Sequence, residues 1–279
     1  MSPVRIERVA KNVETRERHL ALVSSHVTSE LERRMSEMEA DTRVPAAAAQ
    51  PLDGLAEFGG LRTRDQLESH LLERLSLDVF APATTFKLTV QSGTKVFGPP
   101  YDQDWSEGSG FGNSARFSGR ALTINKDDGF SAAGVGFYLT TTETVLAAIR
   151  PQGNYDWNWA AFGDLPSARS RGGMGLTIYT DGQQQPTLSH QPVLWSVSGV
   201  TTLAGDKGSG QIAAAASPAF GLGTIPLAPA LLQMSPGSTY LVWVWTWQIA
   251  QGTDGPFIAF SKFDMPLVTI DAGPPIALR

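Results

Sequence analysis

The stretch YLVWVWTWQIA, residues 240–250, places Trp243, Trp245 and Trp247 two positions apart. Successive side chains of a β-strand point to opposite faces, so the three indoles would share one face of a strand. Three exposed indoles would leave roughly 450–750 Å² of mostly apolar surface, at or above the ~300–600 Å² of the largest patch on a typical monomer. The pattern therefore predicts a strand whose tryptophan face is covered, in a sheet core or at a subunit contact.

Hydrogen bonding favours the subunit contact. Each buried indole N–H needs an acceptor, and three are harder to satisfy inside one sealed core than at an interface edged by water and carbonyl groups. We therefore interpret Trp243, Trp245 and Trp247 as oligomer contacts.

Charge divides the chain into two parts. Residues 1–80 contain 25 of the 49 charged side chains, and the rest is rich in Gly, Ser, Thr, Val and aromatic residues. Segments such as GFYLT, LTIYT, VLWSV and PLVTI favour strands, and sequences such as DGQQQ favour turns. Residues 79–279 are therefore predicted to form an antiparallel β-sandwich, of which a jelly roll is one version.

Residues 1–42 are predicted to form an amphipathic helix that begins near Pro3. Its apolar residues recur at spacings of three and four and form a coiled-coil-like seam: Ile6, Val9, Val13, Leu20, Val23 and Val27. A single apolar stripe on so long a helix needs a partner. Self-association, with a trimer favoured over a dimer, supplies one partner, and packing against the chain's own β domain is the alternative.

Two shorter segments connect these parts. Residues 43–62 contain prolines, glycines and an alanine run, and are predicted to be a linker. Residues 63–78 begin with a capping box, Thr63 with Gln66, and carry a leucine stripe, which predicts a short helix packing on the β domain.

Composition excludes some classes of protein. A net charge of −5 gives no electrostatic reason to expect nucleic-acid binding. The absence of cysteine excludes disulfides and thiolate metal sites. The charged N-terminus does not resemble a signal peptide, so we expect cytoplasmic synthesis and leave open incorporation into a released particle.

Catalytic motifs are not evident in the sequence. His190 is the only histidine of the predicted β domain, and no G-x-S-x-G elbow is present, so we expect no enzymatic activity. A carboxylate pair of a carbohydrate-active enzyme, drawn from Asp102, Glu107, Asp156 and Asp164, stays open as an alternative.

The acidic segment YDQDWSEGSGFGN resembles the start of a calcium loop at Asp102, Asp104 and Ser106. Glu107 stands where that loop needs glycine, and Asn113 stands where it needs a bidentate glutamate. We therefore predict a solvated acidic loop and no cofactor, with Ca²⁺ at these three residues as the alternative.

A second aromatic cluster, NYDWNWAAFGD, alternates rings with polar groups at Tyr155, Asp156, Trp157, Asn158 and Trp159. Aromatic faces beside amide and carboxylate groups suit sugars, which makes these five residues a candidate glycan-binding site. The alternative is that the rings are the core side of an amphipathic strand.

Residues 208–253 contain no charged side chain. Prolines divide this region into pieces too short for a transmembrane helix of ~20 residues. A β-hairpin that inserts into a membrane after oligomerisation is compatible with its small residues. Membrane contact is therefore expected only if the protein is a pore-forming toxin.

These observations favour a non-enzymatic, homo-oligomeric structural or attachment protein of a larger assembly, such as a virion, a phage-tail-like particle, a shell or a fibre. Its partners would be further copies of itself, other subunits and surface glycans. An oligomeric β-pore-forming toxin is the first alternative, and the carbohydrate-active enzyme is the second. The layout of a helical arm before a β domain is an analogy of architecture, which does not fix function.

Overall fold

A computed structural model of the chain describes most of the predicted β domain and part of the N-terminal region. The described residues are 6–40, 94–108, 113–125, 128–161, 165–200, 204–213, 224–226, 230–252 and 257–273. They form two β-sheets packed as a sandwich, preceded by a helix, which confirms the predicted fold class. The predicted linker 43–62 and helix 63–78 lie outside the described residues.

The front sheet contains the strand with the three tryptophans at its centre. Its described strands are β1 (Ile6–Arg8), β3 (Gln103–Gly108), β6 (Gly129–Thr141), β8 (Leu165–Thr180), β9 (Leu188–His190), β10 (Val193–Val200) and β14 (Thr239–Gln251). They run in the order β1-β6-β14-β8-β10, with β3 paired to β6 and β9 paired to β8, and all these pairs are antiparallel.

The back sheet covers the inner face of the front sheet. Its described strands are β2 (Lys95–Phe97), β4 (Ser114–Arg116), β5 (Arg120–Asn125), β7 (Val145–Ala161), β11 (Ala204–Ala213), β12 (Thr224–Pro226), β13 (Ala230–Met234) and β15 (Phe257–Gly273). Strands β7 and β15 pair along most of their length, and β11 and β12 form a parallel pair at one edge. The predicted segments FIAFSKF and PLVTI belong to this one long strand, β15.

The main core lies between the sheets and follows the two-residue period of the strands. Val242 and Val244 of β14 project inward and meet Tyr155 of β7 and Phe263 of β15 in one cluster of buried side chains. The opposite face of β14 therefore points away from the sandwich and needs its own cover.

The N-terminal arm, residues 6–40, supplies that cover. It consists of β1 and the helix α1 (Val13–Ala40). The helix begins ten residues later than Pro3, where the sequence predicted its start, because Ile6–Arg8 pair with the edge of β6 and Asn12 caps the first turn through Oδ1, 2.9 Å from the N of Thr15. Within the described part of the chain, no helix is long and apolar enough to cross a membrane.

Candidate functional site

The tryptophan face consists of the side chains of β14 that point away from the sandwich core. All of them are at most 1% exposed: Leu241, Trp243, Trp245, Trp247 and Ile249. The alternation predicted from the sequence is therefore confirmed, and the indoles are buried within a single chain.

Glycines on the neighbouring strands make room for the indoles. Gly136 of β6 stands opposite Trp243, and a Cβ atom there would lie 2.5 Å from Cε3 of that ring. A Cβ at Gly134 would lie 2.6 Å from Cβ of Trp245, and Gly175 of β8 faces the same indole from the other side. The large rings thus lie across strands that carry no side chain at these positions, which gives dense packing.

Two of the three indole N–H groups have acceptors inside the chain. Trp245 Nε1 donates to Thr177 Oγ1 at 3.1 Å, and Trp247 Nε1 donates to the carbonyl oxygen of Met174 at 3.3 Å. Trp243 Nε1 is buried and has no hydrogen-bond partner among the described residues. The shortage of hydrogen-bond acceptors expected for three buried indoles therefore affects one of them, Trp243.

The helix α1 packs its apolar stripe directly on the tryptophan face. The fully buried side chains of this stripe are Val23, Val27, Leu31 and Met38. Arg34 adds a cation–π contact, with its Cζ 4.5 Å from the ring centroid of Trp247, and donates to the carbonyl oxygen of Gln191 at 3.2 Å.

Most of the residues predicted as oligomer contacts, from the seam and the three tryptophans, thus pack on one another within one protomer. Val23 and Val27 bury their surface against Trp243, Trp245 and Trp247 of the same chain, since a helix stripe and an uncovered sheet face satisfy each other without a second copy. Val9 and Leu20 also pack against this cluster, Ile6 lies in β1, and Val13 is 59% exposed. The docking alternative describes this protomer.

A buried polar network fastens the first turns of α1 to the front sheet. His19 is 2% exposed, and its Nδ1 lies 3.2 Å from Oη of Tyr138. Its Nε2 lies 3.5 Å from Oδ1 of Asp181, in the turn after β8. Gln103 of β3 donates to the same tyrosine oxygen and, at 3.1 Å, to the carbonyl oxygen of Arg16. Burial lowers the pKa of His19 and outweighs the opposing attraction of Asp181.

A second histidine meets the sheet two turns further along α1. His26 Nε2 lies 3.4 Å from Oγ of Ser189, and its ring stands edge-on to Tyr179 at a centroid distance of 6.2 Å. Burial lowers the pKa of His26, although the carboxylate of Glu30 opposes the shift. Both histidines of the described arm therefore lie at its contact with the front sheet.

Asp102, the first candidate calcium ligand, binds other groups of the chain. Asp102 accepts hydrogen bonds from Arg8 Nη2 at 2.7 Å and from the backbone N–H of Tyr138 at 3.1 Å. Asp104 and Ser106 lie in strand β3, which corrects the prediction of an acidic loop, and burial raises the pKa of Asp104. Among the described residues there is no group of three or more His, Cys, Asp or Glu side chains that could hold a metal ion.

The candidate glycan site is a strand with its aromatic face turned inward. Tyr155 and Trp159 are 9% and 5% exposed. Trp157 stacks on Trp195 of β10, with centroids 5.9 Å apart, and so joins the two sheets. Asp156 points outward to Lys262, whose Nζ lies 3.3 Å from Oδ2. The core alternative is therefore correct for the rings, because β7 lies in the middle of the back sheet.

The sandwich separates Asp156 from Asp102 and Glu107, the other described carboxylates considered for a catalytic pair. Asp102 and Glu107 lie on the front sheet beside the arm, where Glu107 accepts a hydrogen bond from Ser24 Oγ at 2.5 Å. Asp156 lies on the outer face of the back sheet. The structure does not bring Asp156 together with either of them, and Asp164 lies outside the described residues.

Sequence reasoning did not identify His19, Tyr138 or Asp181 as partners. They are far apart along the chain and approach only when α1 lies across the front sheet. The spaced glycines of AAGVG and GGMG, which flank the tryptophans, were a signal that could have placed β6 and β8 beside β14.

Comparison with known proteins gives no family assignment. No family model and no curated protein matches the sequence. One similar solved structure is a carbohydrate-binding module of the β-sandwich superfamily, at 8% identity and a TM-score of 0.22, covering 64% of this chain and 58% of that one.

Two viral structures resemble this chain to a comparable degree. The enzymatically active domain of bacteriophage CBA120 tailspike protein 4 is 9% identical with a TM-score of 0.16, covering 60% of this chain and 19% of that one. A chain of infectious bursal disease virus, strain Gt, is 9% identical with a TM-score of 0.17, covering 71% and 48%. In all three cases this chain spans less than two thirds of the other, and these likenesses assign no function.

Proposed function

We propose that the protein is a non-enzymatic structural or attachment subunit that assembles with further copies of itself. The supporting observation is a patch on the outer face of the back sheet, the back-sheet patch. Two exposed apolar side chains, Val96 at 45% and Leu231 at 60%, lie on its edge strands β2 and β13. Between them, Arg150 of β7 forms an ion pair with Asp271 of β15.

The back-sheet patch combines apolar and charged side chains, as a subunit contact can. Apolar side chains stand beside a paired arginine and aspartate, and a hydrogen-bonded pair lies next to them, with Gln152 Nε2 2.8 Å from Oγ1 of Thr269. A patch that carries both signs of charge can meet the same patch of a second copy, Arg150 against Asp271. The proposed contact uses this patch and not the seam, since the stripe of α1 packs on its own sheet.

Sedimentation velocity at micromolar concentration tests this proposal. Wild-type protein is expected to sediment as an oligomer, and Leu231→Glu is expected to shift the distribution to monomer, because it places a charge where apolar surface must be buried. Phe117→Glu is the matched control, since Phe117 is 49% exposed but lies in the turn between β4 and β5. A wild-type protein that stays monomeric, or an oligomer that Leu231→Glu does not weaken, would overturn the proposal.

A second candidate function, pore formation, is favoured by one observation. The tryptophan face is a large aromatic surface covered by a single amphipathic helix rather than by a second sheet. Aromatic side chains of this kind bind readily at membrane interfaces. Release of an entrapped dye from liposomes would support this candidate, and intact liposomes over a range of lipid compositions and pH would contradict it.

A further inference from the structure

The arm carries two of the three histidines in the described part of the chain, and both face the front sheet. The third, His190, lies on β9, where it pairs with Leu176 on the inner side of the front sheet. The titratable groups that change charge near neutral pH are thus concentrated where the arm meets the tryptophan face.

The hydrogen bonds of His19 fit its neutral form. One ring nitrogen can donate to Asp181 while the other accepts from the hydroxyl of Tyr138, and that hydroxyl oxygen in turn accepts from Gln103. In the protonated ring both nitrogens donate, so the hydroxyl hydrogen of Tyr138 loses its acceptor. Protonation therefore leaves the hydroxyl hydrogen of Tyr138 without this acceptor, at a histidine that is only 2% exposed.

Charged groups around each histidine raise or lower the pKa of its ring. Around His19, Lys11 and Arg18 of the arm disfavour a third positive charge, and Asp181 of the sheet favours it. Around His26, Glu30 is the charged neighbour, and the groups that face it from the sheet are Ser189 and Tyr179. In both cases burial is the largest influence and lowers the pKa, so the bound arm favours two neutral rings.

The same contact contains polar atoms that lack partners. Trp243 Nε1, Tyr179 Oη and Gln103 Oε1 are buried under the arm without a hydrogen bond from the described residues. Each such group costs desolvation energy that water would return if the arm moved away. These unpartnered atoms therefore weaken a contact that apolar packing, hydrogen bonds and ion pairs hold together.

We propose that acid releases the arm: when His19 and His26 take up protons, α1 leaves the front sheet and uncovers the tryptophan face while the sandwich stays folded.

The pKa values of the two histidines determine whether arm binding strengthens or weakens as the pH falls. Because their pKa values are lower with the arm bound than the ordinary value of 6.5, the released state takes up protons more readily. Their contribution to arm binding is complete above pH 6.5 and is lost as the pH falls from there through the lowered values.

Acrylamide quenching of tryptophan fluorescence, at about pH 7.5 and about pH 5, tests the proposal on the full-length protein. Four of the seven tryptophans, Trp105, Trp243, Trp245 and Trp247, lie under the arm. We expect these four to become accessible at the lower pH, with the far-ultraviolet circular dichroism of the sheets unchanged.

Two variants identify the cause. The double variant His19→Gln, His26→Gln keeps polar groups that do not titrate, and its quenching is expected to be equal at both pH values. His190→Gln, the matched control, is expected to respond like the wild type. Quenching of the wild type that does not rise, a rise that survives in the double variant, or loss of sheet signal at the same pH would each overturn the proposal.

A measurement on the wild type covers the case in which the double variant does not fold. Histidine side-chain NMR gives the titration midpoints directly, and the midpoints of the two arm histidines must coincide with the midpoint of quenching. Midpoints that differ from it would overturn the proposal.

Discussion

The two faces of β14 are equally buried but differently covered. Toward the sandwich, the strand presents Tyr240, Val242, Val244, Thr246 and Gln248, and away from it the strand presents Leu241, Trp243, Trp245, Trp247 and Ile249; all are at most 3% exposed. The inner face is closed by a second sheet. The outer face is closed by one helix, α1. Residues 41–93 lie between this helix and the described part of the back sheet.

The difference shows that burial does not measure how firmly a surface is held. Removing the back sheet would expose the whole core between the two sheets, whereas removing the arm breaks the three-residue pairing of β1 and the contacts of α1 with the front sheet. Local opening requires little energy where few cooperative contacts must break. Release of the arm, as proposed above, would therefore expose the outer face and leave the packing between the two sheets in place.

The largest expected effect comes from removing an aromatic ring from the outer face. Trp245→Ala is expected to lower the free energy of unfolding by ~3–5 kcal/mol, because it removes a fully buried ring and leaves a cavity beneath α1. Phe137→Ala, at a fully buried site of the inner core, is the matched variant and should cost a similar amount. Urea unfolding measures both, and a much smaller cost for Trp245→Ala would show that the arm does not cover this face in solution.

Adding a methyl group beside an indole should also destabilise the protein. Gly136→Ala is expected to cost ~1–3 kcal/mol, since the new Cβ would lie 2.5 Å from Trp243 Cε3 in a packed layer. Gly273→Ala is the control, because a Cβ at that strand position meets no atom within 4 Å. Equal melting temperatures for the two variants would contradict the packing described for the tryptophan face.

Much of the fold could be predicted from local patterns. The two-residue period of YLVWVWTWQIA fixed which side chains share a face, and the same period in NYDWNWAAFGD placed Trp157 and Trp159 on one side of β7. The three indoles are covered, as the size of their apolar surface required. These conclusions depend on neighbours in the sequence and on surface area alone.

The identity of the cover could not be predicted in the same way. A stripe such as Val23 and Val27 fits a second helix and a sheet face equally well, and only the tertiary contact decides between them. The network of His19, Tyr138 and Asp181 joins residues whose separation in sequence carries no pairing signal. Ile6 fits the helical spacing of the seam, but Ile6–Arg8 form a strand because they pair with the edge of β6.

Hydrogen bonding distinguishes two neighbouring indoles of the outer face. Trp245→Phe removes a donor that Thr177 uses, whereas Trp243→Phe removes an N–H that has no described acceptor. Both variants lose part of a ring, so the difference between their unfolding free energies isolates the hydrogen bond. Trp245→Phe is expected to be the more destabilising by about 1 kcal/mol in urea unfolding. Equal costs would mean that Trp243 Nε1 finds a partner in solution.

The smallest expected effect concerns the cation above the tryptophan face. Arg34→Met keeps an unbranched apolar side chain but loses the charge over Trp247, the hydrogen bond to Gln191 O and the ion pair with Glu30, which should cost about 0.5–1 kcal/mol. Arg33→Met is the control, because Arg33 pairs only with glutamates of its own helix among the described residues and its side chain is 52% exposed. If the two variants unfold at the same urea concentration, Arg34 adds no stability through Trp247. In that case the arm is held on the outer face by apolar packing and the histidine network, which would make its release more dependent on protonation.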